Sequence, residues 1–250
     1  MARDPNARFT LRAQPTTQSR RMSGAEAYDA GVDVGLRSYM LRVYNYMALG
    51  IALTGAVAFA VSTSPVMLNM IFNTPLKWIM IFAPLGVVFY LSARIGAMSA
   101  KSAQMWFWVL ASLYGVMFST IFLDFTGTSI ARTFFVTAGA FAALSLYGYT
   151  TKRDLTAMGS FLIIGVVGLL IAMILNMFMA SSALEFAITV IGLFIFAGLT
   201  AYDTQRIKSM YVESDHSEVS DKKSIMGALS LYINFIMIFQ FLLSFLGQQE

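Results

Sequence analysis

Apolar residues fall in long blocks along this chain, separated by short polar breaks. The blocks lie near positions 43–62, 78–95, 105–123, 133–150, 157–180, 186–205 and 226–247. Each is long enough to cross a hydrocarbon layer of about 30 Å, which takes roughly 20 helical residues. Runs such as "FLIIGVVGLLIAMILNMFM" show no period-two alternation, so the strands of a transmembrane barrel are excluded. In hydrocarbon every backbone amide must be bonded within the protein, and helices achieve that inside a single segment. The pattern predicts an all-α polytopic membrane protein, a bundle of seven transmembrane helices over residues 39–250, preceded by a polar, disordered cytoplasmic tail over residues 1–38.

Composition agrees with this division: 58% of the 250 residues are hydrophobic and 12% are charged, where a soluble domain carries about a quarter charged. The tail has no apolar core of a cleavable signal, and Asp4, Glu26, Asp29 and Asp33 argue against an organelle transit peptide. Charge then sets orientation. With seven spans, 15 of the 17 Lys and Arg residues fall on the side of the N-terminus, leaving Lys77 and Arg132 opposite. The positive-inside rule therefore predicts a cytoplasmic N-terminus and an outside C-terminus. The net charge of +4 follows from topology, and nucleic acid is not needed as a partner; the bilayer is.

Within the spans, Pro65 and Pro75 mark helix breaks in an outside loop, and Pro84 inside the second span predicts a passive kink. Small residues in "TAGAFAALSLYG" and "GSFLIIGVVG" allow close helix approach. The 17 methionines lack the clustering with histidine that copper binding needs and read as packing. Cysteine is absent, which removes disulfides, thiolate metal sites and thiol nucleophiles. No internal repeat is evident, which weakens a secondary-transporter reading.

Few ionisable groups remain at the spans. Glu185 begins the sixth, where the helix dipole favours an anion. Lys152, Arg153 and Asp154 make the fourth loop, with Asp154 able to cap the fifth span. Asp203 is different, because it follows some twenty apolar residues, and a lipid-facing carboxylate there costs about 2.5 to 3.5 kcal/mol. Arg94 closes the second span at similar depth and on the same side. Asn234 lies about nine residues, or roughly 13 Å, into the seventh. Two readings stand: Asp203 is buried and meets Arg94 and Asn234, or Asp203 and Arg206 are interfacial residues beside a charged loop.

Four stretches resemble the Bax inhibitor family, also called the transmembrane Bax-inhibitor-motif family, in its bacterial form. They are "VDVGLRSYMLRVYNYMALG" at 32–50, "SLYGYTTKRDL" at 145–155, "AYDTQRIK" at 201–208 and "ALSLYINFIMIFQFLLSFLG" at 228–247. The resemblance implies a bundle with a central seventh helix, residence in the bacterial inner membrane and a pH-responsive calcium leak. It also implies a membrane-anchored AAA protease as a partner, which makes a regulatory protein without transport the alternative. In the family, an aspartate ending span six shares a proton with one in span seven, and an arginine from span two competes for the first. Asp203 matches the first aspartate and Arg94 the arginine, but the second position is Asn234, in "LYINF" where the family has aspartate. Asparagine cannot titrate, and its amide can donate to the Asp203 carboxylate and favour its charged form. The expected pH response is therefore shallower than in relatives with two acids, or displaced toward acid. No cofactor is expected. Calcium enters as the permeant ion, held weakly at Asp203, since one carboxylate and an amide supply few of the oxygens it prefers.

An enzyme is not expected. Intramembrane aspartyl proteolysis needs a second aspartate, which span seven lacks, and serine hydrolase chemistry lacks a base, since the only histidine, His216, sits in the loop "ESDHSEVSDKK".

Overall fold

A computed structural model describes residues 24–247 of the protein, with side chains described from residue 34. Among the described residues the regular elements are helices: α1 (Gly24–Ser62), α2 (Pro65–Phe72), α3 (Leu76–Arg94), α4 (Ala100–Phe118), α5 (Ile121–Asp124), α6 (Gly127–Thr150), α7 (Thr156–Met179), α8 (Ser182–Ser209) and α9 (Ser217–Leu246). Seven segments are long and apolar enough to cross a membrane, with α4 and α5 together making the third. The all-α, seven-span reading holds.

Two boundaries differ from expectation. The division at residue 38 falls inside α1, which is continuous from Gly24; residues 1–23 of the expected tail lie outside the described residues. The loop between the first two spans contains a helix, α2. Its N-cap Ser64 accepts from the Met67 N–H, and Pro65 occupies its first turn. Pro75 is likewise the N-cap of α3. These prolines start helices as well as breaking them, because a first-turn residue has no intrahelical use for the N–H that proline lacks. Pro84 is buried inside α3, which runs on past it.

Serine and threonine begin three of the remaining helices by the same capping logic. Ser99, Thr126 and Ser181 each accept a backbone N–H in the first turn of α4, α6 and α8. Arg206 and Lys208 close α8, where cations suit the negative end of the helix dipole.

The seventh span is central. α9 packs on α8, α1, α6 and α4, and Leu231, Tyr232, Ile238 and Leu243 are fully buried in it. α7 packs chiefly on α8, and α3 on α4 and α2, so both lie at the periphery. Small residues set the closest approach at two places. A Cβ on Gly148 of α6 would collide with the backbone carbonyl of Ala201 on α8, and one on Gly159 of α7 with the Tyr202 ring. This places the α8 segment from Ala201 to Arg206 between α6, α7 and α9, and that segment carries the candidate site.

Candidate functional site

Asp203 lies less than two turns before the end of α8 at Ser209 and is 7% exposed. A carboxylate so placed needs partners for both oxygens, since an unpaired buried charge costs several kcal/mol. Both are supplied. Asn234, buried in the middle of α9, donates from Nδ2 to Asp203 Oδ2 at 2.8 Å. Arg206, one turn further along α8, places Nη2 3.0 Å from Asp203 Oδ1. The same guanidinium donates to Ser230 Oγ of α9 at 3.2 Å and lies over the Tyr202 ring at 5.7 Å. Of the two sequence readings of Asp203, the structure selects the buried one.

The expected pairing with Arg94 is not what the structure contains. Arg94 closes α3 at the periphery, its side chain is exposed, and it makes no ion pair among the described residues. Arg206 takes that place because an i, i+3 pair on one helix needs no tertiary approach. The spacing was visible in "AYDTQRIK", and the side-chain direction on α8 was not. Asn234, by contrast, meets Asp203 through its amide as expected from the sequence. α9 begins at Ser217, ahead of the apolar block, so Asn234 lies about 25 Å along the helix, and its first turns are the polar stretch Ser217–Lys223.

Beside Asp203, a set of hydroxyls that sequence reasoning missed ties three helices together. Tyr44 OH of α1 is 2.6 Å from Ser145 Oγ of α6, which is 2.9 Å from Thr204 Oγ1 of α8. Thr204 in turn donates to the Thr200 carbonyl at 2.8 Å. On the opposite side of α9, Tyr232 OH bonds Thr54 Oγ1 at 2.7 Å, and Thr54 also reaches the carbonyls of Gly50 and Ala111. The signal was the placement of small hydroxyl residues in otherwise apolar spans, where they bond a preceding carbonyl or a neighbouring helix.

The remaining candidates sit where ordinary structural roles suffice. Glu185 is exposed in the first turn of α8. Lys152 and Arg153 are exposed in the loop before α7. Asp154 accepts the Thr156 N–H at 2.9 Å, one residue earlier than a regular N-cap, and the Thr156 hydroxyl and then its N–H hold the Asp154 carboxyl below the usual carboxylate range. Gln205 fastens this loop to α8, accepting from Leu155 N and donating to the Arg153 carbonyl, both at 2.8 Å. His216 is exposed at the start of α9 and caps nothing with its side chain. Among the described residues no three His, Cys, Asp or Glu side chains come together as a metal site.

Comparison with known proteins identifies the family. An uncharacterized protein of Rickettsia prowazekii is 49% identical over 218 residues, covering 87% of this chain and 92% of its own. The inner membrane protein YbhL of Escherichia coli K12 is 43% identical over 219 residues, 86% of this chain and 94% of its own. An uncharacterized membrane protein of Streptococcus pyogenes serotype M3 is 27% identical over 220 residues, 87% of this chain and 96% of its own. The family model described as inhibitor of apoptosis-promoting Bax1 matches residues 36–250, so nearly all of the first span, the other six spans and Asp203 fall inside the match, and the chain belongs to the Bax inhibitor family of membrane proteins.

Proposed function

We propose that this protein is a calcium-permeable leak of the bacterial inner membrane, with Asp203 as the anionic group on the ion's path and Arg206 as its removable counter-ion. The observation that carries the reading is a buried carboxylate whose two oxygens are held by unlike partners. Asn234 is buried with it, while the Arg206 side chain is 42% exposed and reaches Asp203 from the helix end. A divalent cation arriving at Asp203 competes with Arg206 for Oδ1, and the guanidinium has somewhere to go: the polar pocket it shares with Asp154 and Gln205. One carboxylate and one amide make a weak calcium site, which suits permeation because a conducted ion must also leave. The inner-membrane location follows the name of the Escherichia coli relative.

Purified protein in calcium-loaded liposomes tests this. Asp203→Ala should change flux while insertion and folding persist, and Arg206→Gln should raise flux by freeing the carboxylate. Equal flux from all three proteins would make the site structural. No flux from any of them would favour the regulatory alternative, in which the chain serves a membrane-anchored AAA protease.

The proposed orientation is N-terminus in the cytoplasm and C-terminus outside, from the distribution of basic residues. The chain has no cysteine, so single introduced thiols give a clean readout. Met70→Cys and Gln248→Cys should label in intact cells, and His216→Cys only after permeabilisation. Labelling of position 216 from outside would overturn the orientation.

A further inference from the structure

α1 and α6 both pack on α9, yet between them runs an apolar groove of about 970 Å³. A second cavity of about 310 Å³ shares its lining at Ile51, Gly55, Phe134 and Phe235 and continues it toward the other membrane face. Along α1 the larger groove extends from Arg37 to Gly55, about 27 Å at 1.5 Å per residue, so it passes through the whole depth of one leaflet, about 15 Å. Its floor is Phe141 and Phe235, both buried. Of the hydroxyl-bearing residues that line it, Tyr44 is bonded to Ser145 and Ser145 to Thr204, while Tyr149 stands at the end of α6. Nothing along the walls asks for a polar ligand.

The end of the groove does. Arg37 lines its mouth, is exposed, and makes no ion pair or hydrogen bond among the described residues. Its neighbours are committed: Arg42 pairs with Asp221, and the Lys208 ammonium donates to the Tyr149 carbonyl at 2.9 Å while lying 4.7 Å from the Tyr149 ring centroid. One long apolar channel ending at one unpaired guanidinium has the shape and charge order of a phospholipid. Guanidinium binds phosphate bidentately, and a surplus cation favours a headgroup with net negative charge over a zwitterion that carries its own ammonium.

We propose that the α1–α6 groove is a binding site for one anionic phospholipid of the leaflet at the Arg37 end, with an acyl chain along Phe141 and Phe235 and the phosphate on Arg37. The inference rests on the groove and does not depend on ion conduction. Native mass spectrometry of the full chain in detergent, with phosphatidylglycerol or phosphatidylcholine of identical acyl chains added, tests it. The parent should retain phosphatidylglycerol preferentially. Arg37→Gln should cut that retention about tenfold, to the level of phosphatidylcholine, as expected for the loss of one charge-assisted contact. Ala142→Trp, which fills the groove from an exposed position on α6, should abolish retention of both lipids. Lys101→Gln, an exposed cation outside the groove, should change nothing. Equal retention of the two lipids by the parent overturns the proposal, as does unchanged phosphatidylglycerol retention in either Arg37→Gln or Ala142→Trp. Arg37→Gln is a surface change, so its result stands whatever Ala142→Trp does to folding.

Discussion

α7 and α9 are both long apolar helices, and they have opposite fates. α7 contains the most apolar stretch of the seven spans, yet only 6% of that stretch is buried inside the protein; for the less apolar α9 the share is 56%. In water the more hydrophobic helix would be the inner one. In a bilayer the lipid is as apolar as any side chain, so hydrophobicity gives no reason to leave it, and helices are drawn together by packing and polar contacts. α9 brings Asn234, Tyr232 and Ser230 to its neighbours. α7 offers lipid a surface of Phe, Ile and Met, among them Phe161, Ile164, Met177 and Phe178. Between these two helices, polar interruption and not overall apolarity marks the one that faces protein.

The largest effect should come from forcing side-chain volume into one region and then the other. Gly148 of α6 abuts the Ala201 backbone, so Gly148→Leu must displace α8 and the site it carries, whereas Gly168 of α7 has open space around it. Thermal unfolding in detergent should show Gly148→Leu destabilised by about 3 kcal/mol or more, since backbone cannot yield as a side chain can. Gly168→Leu should stay within about 0.5 kcal/mol of the parent, as substitutions away from packed contacts do. A similar loss at both positions would mean that α7 is packed as tightly as the core.

Legibility in the sequence followed the same division. The spans were readable because twenty apolar residues have no other use in a membrane, and Asp203 was readable because it breaks that rule. Its bond to Asn234 was anticipated through the family's pattern at "LYINF". The counter-ion was misassigned because span order places Arg94 at the right depth but says nothing of lateral neighbours; α3 lies on α4, away from α8. The hydroxyl chain from Tyr44 to Thr204 was also out of reach, since serine and threonine in a span satisfy themselves on their own helix as readily as on another. Glycine clusters were legible as contact surfaces only in part: Gly148 and Gly159 are in contact and Gly168 is open.

Each of the two helices carries an asparagine, which allows a finer comparison. Asn234 faces a carboxylate, while Asn176 of α7 only accepts the Ser181 N–H at 3.0 Å where that helix ends. Asn234→Asp would set two carboxylates in one buried space, and these cannot both ionise cheaply, so they titrate as a unit. Calcium flux measured between about pH 5 and 8, where such a coupled pair exchanges its proton, should then depend on pH more steeply than in the parent. Asn176→Asp should leave the profile unchanged. A parent profile as steep as that of Asn234→Asp would place the pH sensor elsewhere, with His216 and Glu185 the next groups to test.

The smallest expected effect separates two tyrosines within the buried region. Tyr232 of α9 and Tyr39 of α1 are both fully buried. Tyr232 bonds Thr54 across to α1, and Thr54 keeps its bonds to the Gly50 and Ala111 carbonyls without it. The Tyr39 hydroxyl has no hydrogen-bond partner among the described residues, although its ring packs against Tyr211 at 5.7 Å between centroids. Removing one partner of a made bond costs about 1 kcal/mol, and removing a buried group that makes none costs nothing and recovers its desolvation penalty. Tyr232→Phe should therefore lower stability by about 1 kcal/mol, and Tyr39→Phe should leave it equal or raise it by about 0.5 to 1 kcal/mol. Both keep the ring, so packing is held constant and only the hydroxyl is read. If polar contacts rather than apolarity hold the inner helices together, the two substitutions must differ in sign or clearly in size. Equal losses from both would show that the Tyr39 hydroxyl has a partner in the membrane, most simply a bound water, and that the inner region is wetter than its side chains indicate.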